Sequence, residues 1–217
     1  MRRDPRGYRL LFVIGLLTLV ADQGTKYLAV SGLTDALEDE RGLGRLSAFL
    51  FAPSPFETTL TARRPRLDAG RAVHPDYFHL RYVENPGAAW GLWSNLPDRF
   101  RQPFFLGVSV LALGFISFMY SRLEGAQRFL RVALALVMGG AVGNFVDRLL
   151  RGYVIDFIDW HWRNSPGMRW PTFNVADVAI TLGVAFILAE SLRAQANEPS
   201  GAAAGVGLAP GAGGRGA

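Results

Sequence analysis

The stretch Phe104-Phe105-Leu106-Gly107-Val108-Ser109-Val110-Leu111-Ala112-Leu113-Gly114-Phe115-Ile116-Ser117-Phe118-Met119-Tyr120 decides the fold. It carries no charge, and glycine and serine at 107, 109, 114 and 117 are its only breaks. A surface helix of a soluble domain would show a polar stripe, and this run has none. Working outward, the apolar run covers 103–121, and three more of its kind lie at 10–30, 129–149 and 173–192. A bilayer core of ~30 Å needs ~20 helical residues at ~1.5 Å rise. Each stretch has that length, so the chain reads as an all-α membrane protein with four transmembrane helices.

The distribution of charge agrees. Only seven of the 41 charged residues fall in these stretches: Asp22, Lys26, Arg131, Asp147, Arg148, Asp177 and Glu190. The mean hydropathy of +0.17 therefore averages very apolar spans with polar connections. The first span follows Arg2, Arg3, Arg6 and Arg9 and precedes Ala29-Val30-Ser31, a pattern also found in cleavable signal peptides. Asp22 and Lys26 near its end speak for a retained span. Arginines in the N-terminal flank and at 122, 128 and 131 place both termini in the cytoplasm; arginines at 148, 151, 163 and 169 weaken that rule. The connections 31–102 and 150–172 then face outward. The longer one has nine arginines and nine acids, so the net charge of +5 reflects membrane flanks and not a nucleic-acid grip.

Residues 1–196 form the membrane unit, with 31–102 as a small extracytoplasmic β-containing insert between the first two spans. Within it, 53–75 contains Pro53, Pro55, Pro65 and Pro75 among charges and is expected to be irregular. Tyr77 to Val83 has strand composition. Asn85-Pro86-Gly87 signals a turn, after which 88–93 returns as a second strand with Trp90 and Trp93 at the interface. The tail 197–217 is mostly Gly, Ala and Pro, which predicts a flexible extension.

Charges inside a bilayer cost ~2.5–3.5 kcal/mol each and so mark a buried partner or a function. Asp22 and Lys26 lie four apart, on one helix face and in the order that favours an ion pair. The chain has 22 arginines and a single lysine, so Lys26 suggests a need for a compact ammonium. In the third span Gly139 and Gly143 offer a small face for close helix approach. Asn144, Asp147 and Arg148 continue that face; Asp147 can pair with Arg148 or Arg151, and Arg148 can meet a lipid phosphate. Beyond the span, Asp156 sits among Val154, Ile155, Phe157 and Ile158, which should raise its pKa. Asn174, Asp177 and Thr181 share a face of the fourth span, with Asp177 expected ~5–8 Å below its outer end.

Two aspartates near one membrane face suggest a carboxylate dyad sharing a proton, because like charges held close cannot both ionise easily. The ionised member activates water, and the protonated one polarises a scissile carbonyl and then feeds a proton to the leaving amine. The absence of cysteine excludes disulfide scaffolds, zinc-thiolate sites and cysteine nucleophiles. His74, His79 and His161 show no ligand spacing along the chain, so no metal and no cofactor is expected. His161, between Trp160 and Trp162, reads as interfacial.

Together these residues resemble the lipoprotein signal peptidase (signal peptidase II) family of bacterial inner-membrane aspartyl proteases. The resemblance covers most of 9–195. It rests on Asp22-Gln23-Gly24-Thr25-Lys26 and on Asn85-Pro86-Gly87-Ala88-Ala89-Trp90-Gly91. It continues through Gly139-Gly140-Ala141-Val142-Gly143-Asn144-Phe145-Val146-Asp147-Arg148 with Gly152-Tyr153-Val154-Ile155-Asp156-Phe157, and ends at Phe173-Asn174-Val175-Ala176-Asp177. It implies that Asp156 and Asp177 are the catalytic pair. Asp22, Lys26, Asn85, Asn144, Asp147, Arg148 and Asn174 would support substrate and dyad. It further implies a diacylglyceryl-modified prolipoprotein substrate cleaved on the N-terminal side of the lipid-bearing cysteine, and inhibition by globomycin. The expected partners are prolipoproteins and membrane lipids, with the chain monomeric. The 53–75 stretch and the tail are longer than the family pattern and touch no motif. A small proton-coupled transporter would also use intramembrane acids, but its relay should continue towards the cytoplasm, and the second span has no charge. A metal-dependent phospholipid transferase would cluster its carboxylates, whereas these are dispersed.

Overall fold

The computed structural model describes residues 5–51, 71–87, 97–123, 127–163 and 165–196. Helix α1 runs Pro5–Leu33 and α2 Leu43–Phe51; strands β1 (Arg71–His74) and β2 (Phe78–Asn85) follow. Then come α3 (Asp98–Arg122), α4 (Arg128–Arg151), β3 (Val154–Trp160), a single 3-10 turn at Pro166–Met168, and α5 (Val175–Ala196). Helices α1, α3, α4 and α5 are long and apolar enough to cross a membrane. Their outward side chains are those a lipid would meet: Phe12, Leu17, Leu111, Phe115 and Leu188 are all well exposed.

Helix α4 is the axis of the bundle. Half of its most apolar window is buried, against 11–17% in the other three spans. Glycines make this possible. A Cβ on Gly139 would lie 2.6 Å from Thr18 Cβ in α1, and one on Gly140 would lie 2.8 Å from Ile180 Cγ1 in α5. The face expected at Gly139 and Gly143 does bring helices into close contact, and it serves two neighbours at once.

At ~43 Å, α1 is longer than the ~30 Å hydrocarbon core. Its last turns leave the bundle, and Ala29, Val30 and Leu33 pack with Leu37, Phe49, Tyr82, Tyr153, Ile155 and Phe157. This cluster joins α1, α2 and a three-stranded antiparallel sheet of order β1-β2-β3. A second cluster, Ile116, Tyr120, Leu134 and Val137, joins α3 to α4. Gly152, at φ 80°, caps α4 in the left-handed region and turns the chain into β3.

The insert between the first two spans does contain strands, β1 and β2, and β3 from the connection between α4 and α5 joins them in one sheet. The irregular loop over 53–75 gives way at Arg71–His74 to β1, where pairing with β2 outweighs the proline-rich local composition. Helix α2 was not anticipated; its short apolar run, Leu46 to Phe51, has no length signal of its own. Residues 53–70, the proposed return strand 88–93 with its tryptophans, and the tail 197–217 lie outside the described residues.

Candidate active site

The end of the bundle next to the sheet holds two connected polar clusters. The first is centred on Lys26. Its ammonium meets Asp22 Oδ2 at 2.7 Å, Asp147 Oδ2 at 2.8 Å and Asn144 Oδ1 at 3.2 Å. Lys26, Asp22 and Asp147 are fully buried. An ammonium has three donors, and here each has one acceptor. The expected ion pair within α1 is therefore present, and a second carboxylate from α4 shares it.

Each carboxylate has further work. Asp22 Oδ1 accepts the backbone N–H of Ala176 at 3.0 Å, so α1 caps the first turn of α5. Asp147 Oδ1 accepts from Arg151 Nη1 and from Gln23 Nε2, and Asp147 Oδ2 accepts the backbone N–H of Ile155 at 3.2 Å. Of the two arginines considered for Asp147, Arg151 is the one that pairs with it. Gly143 leaves room for Asp22, because a Cβ there would lie 3.1 Å from Asp22 Cγ.

The second cluster contains Asp156 and Asp177. Asp156 stands on β3, in register with Val83 of β2. Asn85, the last residue of β2, donates to Asp156 Oδ2 at 3.0 Å, and Asn174 Nδ2 donates to Asp156 Oδ1 at 2.7 Å. Asn174 directly precedes α5 and forms a reciprocal cap with Asp177. Its Oδ1 accepts the Asp177 N–H at 3.0 Å, and its own N–H donates to Asp177 Oδ2 at 3.2 Å. Asp177 is thus in the first turn of α5, shallower than the sequence suggested, because the helix starts at Val175. Asn144 Nδ2 donates to Asp177 Oδ1 at 2.8 Å. Asn144 Oδ1 accepts from both Lys26 and Asn174, so this one amide links the two clusters.

Burial pushes the Asp156 carboxyl up to about 7, and the charge of Asp177 adds to the rise. The amides of Asn85 and Asn174 and the Lys26 ammonium pull the other way. The guanidinium of Arg148 lies within electrostatic reach of Asp177, Asp147 and Asp156 and stacks 5.8 Å over Phe105. Beside Asp177 a cavity of about 310 Å³ is lined by Trp160, Trp170, Phe173, Val178, Thr181 and Leu182.

All nine residues singled out in the sequence therefore meet at one end of the bundle. Gln23 was not singled out, although it lies inside a quoted motif and spans Asp22, Gly143 and Asp147. His161 is buried, against His79 and Asp159.

A family model described as signal peptidase (SPase) II matches residues 14–193. The chain belongs to the signal peptidase II family. A lipoprotein signal peptidase of Anaeromyxobacter sp. (strain Fw109-5) is 45% identical over 203 residues, covering 92% of this chain and 93% of that protein. A lipoprotein signal peptidase of Geobacter metallireducens is 33% identical over 186 residues, covering 86% and 92%. A solved structure described as a bacterial membrane enzyme matches with a TM-score of 0.62 at 26% identity, covering 88% of this chain and 92% of that one. As a member of the signal peptidase II family, the chain is an aspartic-type peptidase that removes signal peptides from lipoproteins. It is a multi-pass protein of the bacterial inner membrane.

Proposed function

We propose that Asp156 and Asp177 are the catalytic pair, acting on diacylglyceryl-modified prolipoproteins on the N-terminal side of the lipid-bearing cysteine. The observation that carries this reading is Asn174. Its side chain binds Asp156 while its side chain and backbone together bind Asp177, so one residue sets both carboxylates.

Asp156 is buried and Asp177 beside it is half-buried, and two carboxylates held close retain a proton between them. Asp156, raised to about 7, is the member assigned that proton. Asp177 takes a proton from water as the water oxygen attacks the scissile carbonyl carbon. Asp156 donates to the carbonyl oxygen, which becomes a hydroxyl of the tetrahedral intermediate. Collapse of the intermediate breaks the C–N bond, returns that proton to Asp156, and moves the proton on Asp177 to the leaving amine. No step requires a metal.

The Lys26 cluster supports the site from behind. Asp22 and Asp147 hold α5 and β3 through backbone N–H groups, so the two elements bearing the pair are fixed to the same ammonium. Asn85 orients Asp156, and Arg148 supplies a positive charge near substrate and dyad. The aromatic cavity beside Asp177 suits an apolar part of the substrate held at the membrane. The enzyme acts as a monomer among membrane lipids, with both termini cytoplasmic and the sheet outside.

The test is cleavage of a diacylglyceryl-modified precursor by purified protein. Asp156→Asn and Asp177→Asn are each expected to abolish cleavage while membrane insertion is retained. Full activity in either variant would remove the pair assignment. Turnover that is lost with EDTA and restored by added metal would point to a different chemistry.

A further inference from the structure

A second titratable cluster lies three residues further along β3, outside the site described above. Asp159 and His161 are two apart on extended chain and so share a face. His79 of β2 is the cross-strand partner of Asp159. The rings of His79 and His161 are 4.4 Å apart at 63°, and His161 Nδ1 is 3.9 Å from Asp159 Oδ1. One ligand atom from each of the three residues lies within 4.8 Å of the others.

We propose that His79, Asp159 and His161 bind a zinc-class divalent cation. Two observations point to a ligand and not to a closed polar cluster. Asp159 and His161 are both buried, at 0% and 2% exposure, and among the described residues Asp159 Oδ1 and His161 Nδ1 have no hydrogen-bond partner. Buried polar atoms are nearly always satisfied, so two that face each other without a partner mark a missing atom between them. The second observation is what holds their other ends. Asp159 Oδ2 is taken by Arg169 Nη1 at 2.7 Å, with Arg81 Nε at 3.7 Å. His161 Nε2 lies 3.5 Å from the carbonyl oxygen of Pro75. A proton on Nε2 directed at that carbonyl leaves the Nδ1 lone pair free and turned towards Asp159 Oδ1. A backbone carbonyl on one ring nitrogen is the usual outer support of a histidine ligand on the other.

The donor set names the class of ion. Two imidazole nitrogens and one carboxylate oxygen suit zinc and its first-row neighbours, whereas calcium and magnesium take all-oxygen sites. Ligand atoms around tetrahedral zinc stand about 3.3 Å apart at bond lengths of ~2.0–2.1 Å. The cluster must close slightly, by side-chain rotation, and one position stays open for water. Arg81 and Arg169 orient the carboxylate but oppose a cation with their charge. The ion would tie β2 to the chain leaving β3, so its role is to stiffen the sheet. It lies outside the Asp156–Asp177 chemistry.

The test is calorimetric titration of tag-free full-length protein in detergent with zinc chloride, together with its thermal unfolding. Wild type is expected to take up one zinc ion saturably and to melt at higher temperature with zinc than with EDTA. His79→Gln, at a half-buried position, and His161→Gln should each weaken binding by at least about tenfold. Arg81→Gln, at an exposed side chain, should tighten it. His74→Gln, at the exposed imidazole outside the cluster, should leave it unchanged. No saturable binding to wild type, or binding unaltered in both His79→Gln and His161→Gln, would overturn the proposal.

Discussion

Asn85 illustrates how much a single amide can set. Its side chain donates to Asp156 Oδ2 at 3.0 Å, which favours the ionised carboxylate against a burial effect that pushes the group up to about 7. In the proposed mechanism Asp156 must hold a proton. As pH rises through the apparent value of the pair, that proton is lost and the acid disappears, so kcat should fall on the alkaline side from near pH 7. Removing Asn85 removes a donor that favours the charged form, so the pKa rises further. Asn85→Ala should move the alkaline limb to higher pH and lower kcat/KM by about ten- to a hundredfold, the scale of one hydrogen bond to a charged group at ~1.5–3 kcal/mol. A pH–rate profile of both proteins checks this; a limb that stays in place would show that Asn85 does not tune the dyad. Loss of either carboxylate outright should cost ~10⁴ in rate, the upper end of what a positioned acid or base contributes, which reads as abolished cleavage in an ordinary assay.

Helix α4 makes its predictions through small residues and one borrowed charge. Gly143 faces Asp22, so Gly143→Ala should cost ~1–3 kcal/mol of stability and loosen the site, as overpacking does. Gly107→Ala in α3 meets nothing within 4 Å and should be neutral or stabilising, which makes it the matched control in a thermal unfolding series. Lys26→Met leaves Asp22 buried without its cation and Asp147 with Arg151 alone, a loss of ~3–5 kcal/mol. The four spans were legible because ~20 uncharged apolar residues mean one thing in any context. Asp22–Lys26 was legible because helical spacing puts it on one face. The link from Lys26 to Asp147 was not, because nothing local in either helix encodes a partner on another one. The partners of His161 were not legible for a related reason. Its neighbours Trp160 and Trp162 point to the other face of an extended chain, and only the pairing of β3 with β2 brings in His79. Strand β1 and helix α2 escaped because both are short and take their stability from what they pack against.

For the molecule as a whole, the chain has no cysteine, so orientation can be tested with single introduced thiols. Gly167→Cys, at an exposed position between β3 and α5, should react with a membrane-impermeant maleimide in intact spheroplasts. Ala196→Cys, at the end of α5, should react only after permeabilisation. The reverse pattern would turn the protein over in the membrane. The cap that Asp22 places on Ala176 also orders events in time. Helix α1 is made before α5 and carries a carboxylate that already has a partner, Lys26, one turn along the same helix, so it can wait in the bilayer. Its other oxygen is reserved for an amide 154 residues later in the chain. Helix α5 also brings Asp177 and, just ahead of it, Asn174. On the proposed pair, a nascent chain interrupted before α5 has its membrane anchor but lacks one of the two carboxylates, so hydrolytic competence would arrive only with that helix.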